Sequence, residues 1–66
     1  MELNENAIRM CVRLEKIYTN HYRWMRVKYP DIYKFMTNNS ITDTYFRYGQ
    51  ATVNTVIQDY YNYFGF

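Results

Sequence analysis

The amino-acid sequence predicts an all-α fold, on the strength of two observations. Its 66 residues include only two Gly and one Pro, and such sparse punctuation favours a few long elements over many short strands. Apolar residues recur at alternating spacings of three and four, whereas a strand would show alternation at every second residue. A chain of this length forms a single domain, residues 1–66, and it buries only about 60% of the surface that the unfolded chain exposes.

The first element is predicted to be one helix over residues 4–29. Asn4 suits the N-cap, and the acidic Glu2 and Glu5 lie where the positive end of a helix favours them. Arg26 and Lys28 fall in the last turn, where cations are favoured. The apolar stripe of this helix consists of Ala7, Cys11, Leu14, Tyr18, His21 and Met25.

Pro30 is predicted to end that helix and to begin a short one over residues 30–37, because proline disfavours a helical residue before it and suits the first helical position. Asn38, Asn39 and Ser40 then form a turn.

A second long helix is predicted over residues 41–64. Ser40 and Asp43 resemble a capping box, and Gly65 is placed as a C-cap with Phe66 folding back on the last turn. A heptad-like apolar seam follows this helix, and its self-association positions are Phe46, Gly49, Val53, Val56 and Tyr60.

Gly49 leaves two architectures open. It either splits the segment into helices of about eight and fifteen residues or lies inside one continuous helix, at a cost of about 1 kcal/mol relative to alanine. The seam stays in phase across Gly49, which favours the continuous helix. The prediction is then a helical hairpin whose two long helices expose apolar stripes too wide for one partner. Such hairpins would dimerise into a four-helix bundle.

The sequence contains no recognisable catalytic or metal-binding motif. Cys11 is the only cysteine and His21 the only histidine, so they are the candidates for a nucleophile and its base. On one helix they would lie about 15 Å apart, beyond hydrogen-bond reach. Cys11 is expected in the core, and His21 in the core or at its boundary. We therefore expect no enzyme, no metal, no cofactor and no small-molecule substrate.

A basic stripe on the first helix is the clearest candidate for a functional surface. Six of the eight Lys and Arg residues lie in this helix. The stripe could instead be an ordinary solvated face without a binding function. Such a face, however, usually mixes acids with cations at i,i+4. The partner-binding residues predicted from it are Arg9, Arg13, Lys16, Arg23 and Arg26, with Trp24 as an anchor if it is exposed.

These features favour a protein-interaction module, a small regulator or inhibitor that binds a protein partner and forms a homodimer. The alternative is a helix-turn-helix-like DNA-binding regulator that would read bases with Thr44, Arg47, Gln50 and Asn54. One cation on that recognition helix counts against nucleic acid, because phosphate contacts dominate DNA affinity.

The cellular setting is predicted from composition alone. The sequence shows no secretory h-region and no apolar run of about 20 residues, so we expect no membrane span. A basic amphipathic helix on a membrane surface is disfavoured, because folding requires the apolar stripe. The single cysteine fits the cytoplasm, and abundant Asn, Tyr, Ile and Thr suggest a phage or mobile-element gene.

Overall fold

Four α-helices make up the computed structural model, which describes residues 3–65. In chain order they are α1 (Glu5–Asn20), α2 (Tyr22–Lys28), α3 (Pro30–Asn38) and α4 (Ile41–Phe64). These residues contain no strand. The predicted all-α class is therefore confirmed for this part of the chain.

The N-terminal caps of α1 and α4 form as the sequence predicts. Oδ1 of Asn4 accepts a hydrogen bond from the backbone N–H of Ala7 at 2.7 Å. Oγ of Ser40 accepts one from the N–H of Asp43 at 3.0 Å. Each side chain satisfies a backbone donor that has no partner inside its helix. The predicted role of Glu2 lies outside the described residues.

The other predicted helix ends are also found. α3 begins at Pro30, whose missing N–H is not needed in a first helical turn. α4 ends at Gly65, which adopts the left-handed conformation (φ 77°), and its N–H donates to the carbonyl of Tyr61 at 2.8 Å. The predicted contact of Phe66 lies outside the described residues.

The prediction of one continuous helix over residues 4–29 is wrong. His21 leaves the helical region (φ −136°, ψ 49°), and the chain starts a new helix at Tyr22. The N–H of His21 still bonds to the carbonyl of Ile17 at 2.8 Å, so α1 closes normally before the direction changes. Tyr29 repeats almost the same backbone angles (φ −135°, ψ 64°) between α2 and α3.

The preferred prediction for Gly49 is also wrong. Gly49 has φ 88° and ψ 163°, which no helix contains, and it kinks α4 between residues 41–48 and 50–64. The two segments have about the lengths that the other architecture required. Since such angles are accessible almost only to glycine, the backbone conformation explains why this residue is present.

The core consists mainly of residues from α1 and α4, to which α2 adds two residues and α3 adds one. Leu14 and Met25 are fully covered, as are three side chains of the last segment. The buried apolar residues are Ala7, Met10, Cys11, Leu14, Ile17, Trp24, Met25, Ile32, Tyr45, Val53, Val56, Ile57 and Tyr60.

Residues 50–64 lie beside α1 and run in the same direction. Near the start of α1, Met10 shares a surface depression with Gln50, Ala51 and Asn54. At its end, His21 contacts Tyr60 and other residues of the last turns of α4. The chain measures 32 Å in its longest dimension, whereas a straight helix over residues 4–29 would alone span about 39 Å. A hairpin of two uninterrupted helices is therefore not observed.

The predicted self-association seam lies largely inside the single chain. Val53, Val56 and Tyr60 are buried in its core, while Phe46 remains 40% exposed. The prediction that these residues form an external seam is wrong for the three buried ones, because α1 and residues 50–64 cover each other. The radius of gyration is 11.0 Å, about the value expected for one folded chain of this length.

Candidate interaction surface

α2 buries one side and exposes the other. Trp24 and Met25 point into the core. Tyr22, Arg23, Arg26 and Val27 form the exposed side, which we call the α2 face; Tyr22 is 41% exposed and Val27 is 76% exposed.

Two guanidinium groups lie against the exposed ring of the α2 face. Cζ of Arg23 is 5.9 Å from the centroid of the Tyr22 ring, and Cζ of Arg26 is 5.7 Å from it. Cation–π contacts at exposed sites stabilise by about 0.5–1 kcal/mol each. Within residues 3–65 neither arginine has a carboxylate within ion-pair distance. Two positive charges are thus held close together without neutralisation.

A groove of about 360 Å³ opens beside the α2 face. No carboxylate of residues 3–65 lines it; its walls are Asn20, His21, Tyr22, Arg23, Trp24 and Phe64. Asn20 also borders a second depression, which includes Val12, Glu15 and Lys16. The exposed surface therefore continues from the groove onto the outer side of α1.

Trp24 lies beneath this region and is only 9% exposed. Its ring centroid is 5.4 Å from that of Tyr60 and 6.2 Å from that of Phe64. Trp24 was predicted to be an anchor only if it is exposed, and this condition is not met. Its buried indole Nε1–H has no hydrogen-bond acceptor in the described part of the chain. An unsatisfied buried donor costs about 1–3 kcal/mol.

His21 ties the α1–α2 break to the end of α4. A 2.6 Å hydrogen bond joins its Nδ1 to the hydroxyl of Tyr60, and the ring tautomer decides which of the two donates. Its ring centroid lies 4.3 Å from that of Phe64. Burial, followed by the negative charge that Tyr61 can carry, raises the pKa of Tyr60. His21 is half-buried, in agreement with its predicted position at the boundary of the core.

A second tie fixes the other end of α2. The hydroxyl of Tyr29 donates to Oδ2 of Asp59 at 2.8 Å, and Nζ of Lys28 lies 3.7 Å from the same oxygen. Burial raises the pKa of Tyr29 to about 12, with further contributions from the hydrogen bond and the negative charge of Asp59. Hydrogen bonds thus hold both ends of α2 to α4, so the helix that carries the α2 face is anchored to the core.

The remaining predicted cations lie on the outer side of α1. Arg9, Arg13 and Lys16 are all exposed, opposite the buried side of the helix. Arg9 is not unpaired, because its Nη2 lies 3.0 Å from Oε1 of Glu5. An exposed pair of this kind contributes little to stability. The structure brings Arg23 and Arg26 together on α2 but leaves Arg9 and Arg13 on a different helix.

The predicted DNA-reading set does not form one recognition helix. Thr44 is fully buried, and its Oγ1 donates to the carbonyl of Ser40 at 2.9 Å, so it cannot reach a base. Arg47, Gln50 and Asn54 are exposed. However, Gly49 separates Arg47 from the other two, and the kink there destroys the register that the prediction assumed.

Tyr22 is the residue of the α2 face that sequence reasoning missed, along with the groove walls at Asn20, His21 and Phe64. A signal for it was present. Tyr22 and Arg26 are four residues apart, the spacing at which side chains meet on one helix. Counting Tyr22 into the apolar stripe concealed that signal.

Cys11 lies in the core, as predicted. Burial, and then the negative charge of Glu15, raise the pKa of its thiol. The thiol is therefore protonated at neutral pH, the less nucleophilic form.

Several comparisons bear on what this surface could do. Residues 3–65 hold no group of three or more His, Cys, Asp or Glu side chains arranged to bind a metal ion. No helix in the same range is both long and apolar enough to cross a membrane. No protein-family model, curated protein or solved structure matches the chain. Function is therefore inferred from the α2 face and its groove.

Proposed function

We propose that the chain is a non-catalytic protein-interaction module that binds an acidic surface of a partner protein through the α2 face. One observation carries the proposal. Arg23 and Arg26 are both held against the exposed ring of Tyr22, with no carboxylate of residues 3–65 within ion-pair distance. Two like charges held close together repel each other, and carboxylates of a partner protein would complement them.

The composition and surroundings of the α2 face support this proposal. Arg and Tyr are the residue types, with Trp, that contribute most to binding energy at protein interfaces. Val27 adds exposed apolar area beside them. Arg13 and Lys16 on α1 would steer an acidic partner from a distance, an effect that weakens as salt is added. A small regulator or inhibitor acting in the cytoplasm fits this chemistry and the single cysteine.

Affinity capture with matched charge reversals tests the proposal. The tagged chain is incubated with nuclease-treated lysate of its source cells, beside an Arg23→Glu/Arg26→Glu variant and an Arg47→Glu control. We expect a protein to be retained by the native chain and by the control but lost with the double variant. Retention by all three proteins would contradict the proposal, as would retention by none.

DNA binding is the competing function, and an Arg47→Ala/Gln50→Ala variant separates it from protein binding. Anisotropy titrations with duplex DNA at two salt concentrations would show affinity falling steeply with salt if phosphate contacts dominate. Salt-dependent binding that is lost on Arg47→Ala/Gln50→Ala would favour the DNA-binding regulator and overturn the protein-binding proposal.

Self-association is a separate proposal, because the predicted seam is buried. A homodimer, or a four-helix bundle built from it, would have to use other apolar groups, and Ile8 and Val12 are each about half exposed on α1. Sedimentation equilibrium would detect a dimer. Its loss in an Ile8→Lys/Val12→Lys variant would assign the interface, and a monomeric native chain would rule the dimer out.

A further inference from the structure

We infer that the groove beside α2 receives an aromatic side chain from an acidic segment of the partner protein. The inference rests on the proposed function and deepens it, since it states which chemical features the partner must present. The partner segment would carry one aromatic ring flanked on both sides by Asp or Glu.

The walls of the groove suit an aromatic ring. His21, Trp24 and Phe64 supply three ring systems around one space, and Tyr22 stands at its edge. Its volume of about 360 Å³ falls in the range of roughly 300–1,000 Å³ that is usual for ligand pockets. Aromatic rings attract one another in tilted and edge-on arrangements. The ring contacts already present in the groove, between His21 and Phe64 and between Trp24 and Phe64, are of those kinds.

The charges around the groove select the residues beside that ring. Arg23 lines the groove, and Arg26 lies next to it against Tyr22. A guanidinium group pairs with a carboxylate through two parallel hydrogen bonds, and Asp and Glu supply that carboxylate in a protein segment. Among the described residues, no acidic side chain lines the groove to compete with them or to favour a basic segment.

Trp24 provides a specific contact and also a means of detection. Its indole N–H is buried without an acceptor among residues 3–65. A carbonyl or carboxylate of the partner segment would satisfy it after a small shift of the ring. Because Trp24 is the only tryptophan of the chain, the fluorescence of tryptophan and the single indole N–H resonance both come from a side chain that lines the groove.

The experiment titrates the full chain with three blocked synthetic peptides of equal length. The first is Gly-Asp-Glu-Phe-Asp-Glu-Gly, the second replaces Phe with Ser, and the third replaces every acid with Lys. We expect the first peptide to change the Trp24 fluorescence saturably and to move the indole resonance downfield, as a new hydrogen bond would. The Ser peptide should bind about 10-fold more weakly, a difference of about 1.4 kcal/mol, and the Lys peptide should not bind.

Two variants connect the binding to the groove. Arg23→Ala/Arg26→Ala should weaken binding of the Phe peptide about 10-fold, whereas Arg47→Ala, which removes an exposed cation elsewhere, should leave it unchanged. All these side chains are exposed, so the variants should fold, and circular dichroism would verify that they do.

The results separate this inference from the function on which it rests. Equal affinity for the Phe and Ser peptides, no binding of either, or binding without any change at Trp24 would overturn the groove inference. If a partner is nevertheless captured through Arg23 and Arg26, the proposed function stands without it. If the Phe peptide binds as expected but no protein is captured, the proposed function fails instead.

Discussion

The chain changes direction inside its helical regions in two different ways. Gly49 breaks α4 with a positive φ of 88°. His21 and Tyr29 break the first helical region with φ values of −136° and −135°, which ordinary residues can adopt. Nothing lies within 4 Å of where a Cβ of Gly49 would be. His21 and Tyr29 instead each place a side chain in a hydrogen bond to α4.

The difference shows that the breaks at Gly49 and Tyr29 have local causes, whereas the break at His21 depends on a tertiary contact. Gly49 permits its kink because positive φ is accessible to glycine at little cost, and Pro30 disfavours a helical conformation at Tyr29. No neighbouring residue accounts for the break at His21. Tyr60 and Asp59 receive the side chains of His21 and Tyr29, so both of these breaks are also held by α4. The substitutions below test this distinction.

The largest loss of stability is expected for a substitution at Gly49. Gly49→Ala should lower the free energy of unfolding by about 1–3 kcal/mol, because an L-residue is strained at these angles although the space for a methyl group is open. Chemical denaturation measures the loss.

The matched control for Gly49 is a change of chirality. D-alanine, introduced by chemical synthesis, prefers positive φ and adds the same methyl group. It should retain the stability of the native chain. An equal loss with both enantiomers would show that the added methyl group, and not the backbone angle, is responsible, and the comparison would fail at this position.

A smaller effect is expected at the His21 break. His21→Ala removes the hydrogen bond to Tyr60 and the ring contact with Phe64, at a cost of about 1–2 kcal/mol. A double-mutant cycle with Tyr60→Phe isolates the pair, for which we expect a coupling energy of about 1 kcal/mol. Additive losses would mean that the two side chains do not stabilise the break together.

The smallest effect is expected at Tyr29, and it depends on pH. Tyr29→Phe removes the hydrogen bond to Asp59 and should cost about 0.5–1 kcal/mol near neutral pH. The folded pKa of about 12 lies above the ordinary value of 10.0, so the folded state favours the protonated phenol. This contribution is fully present below pH 10 and is lost as the pH rises through 12.

The measurement at Tyr29 is the difference in unfolding free energy between the native chain and Tyr29→Phe. The other tyrosines ionise in both proteins and largely cancel in that difference. We expect the difference to shrink as the pH rises from 10 towards 12. A difference that stays constant across this range would contradict the assigned role of the phenol.

Features determined by neighbouring residues could be predicted from the sequence. The caps at Asn4, Ser40 and Gly65 and the helix start at Pro30 depend on local backbone chemistry, and all four are found. The break at His21 could not be predicted, because its partner Tyr60 lies 39 positions away.

The candidate surface was predicted only in part. Arg23 and Arg26 are exposed together, as the basic stripe indicated. Tyr22 was counted into the apolar stripe but lies outside, and Trp24, a possible anchor, lies inside. The seam through Val53 and Val56 is a true apolar pattern, but α1 of the same chain covers it. Periodicity identifies an apolar side without indicating what packs against it.

The parallel arrangement of α1 and residues 50–64 has a consequence for how the chain folds during synthesis. Leu14 lies in one buried cluster with Val53 and Val56. Leu14 is synthesised early, whereas Val53 and Val56 are synthesised much later. At translation rates of about 5–20 residues per second, α1 exposes its apolar side for several seconds. A molecular chaperone would have that interval to bind α1, and the arrival of the last turns of α4 would end it.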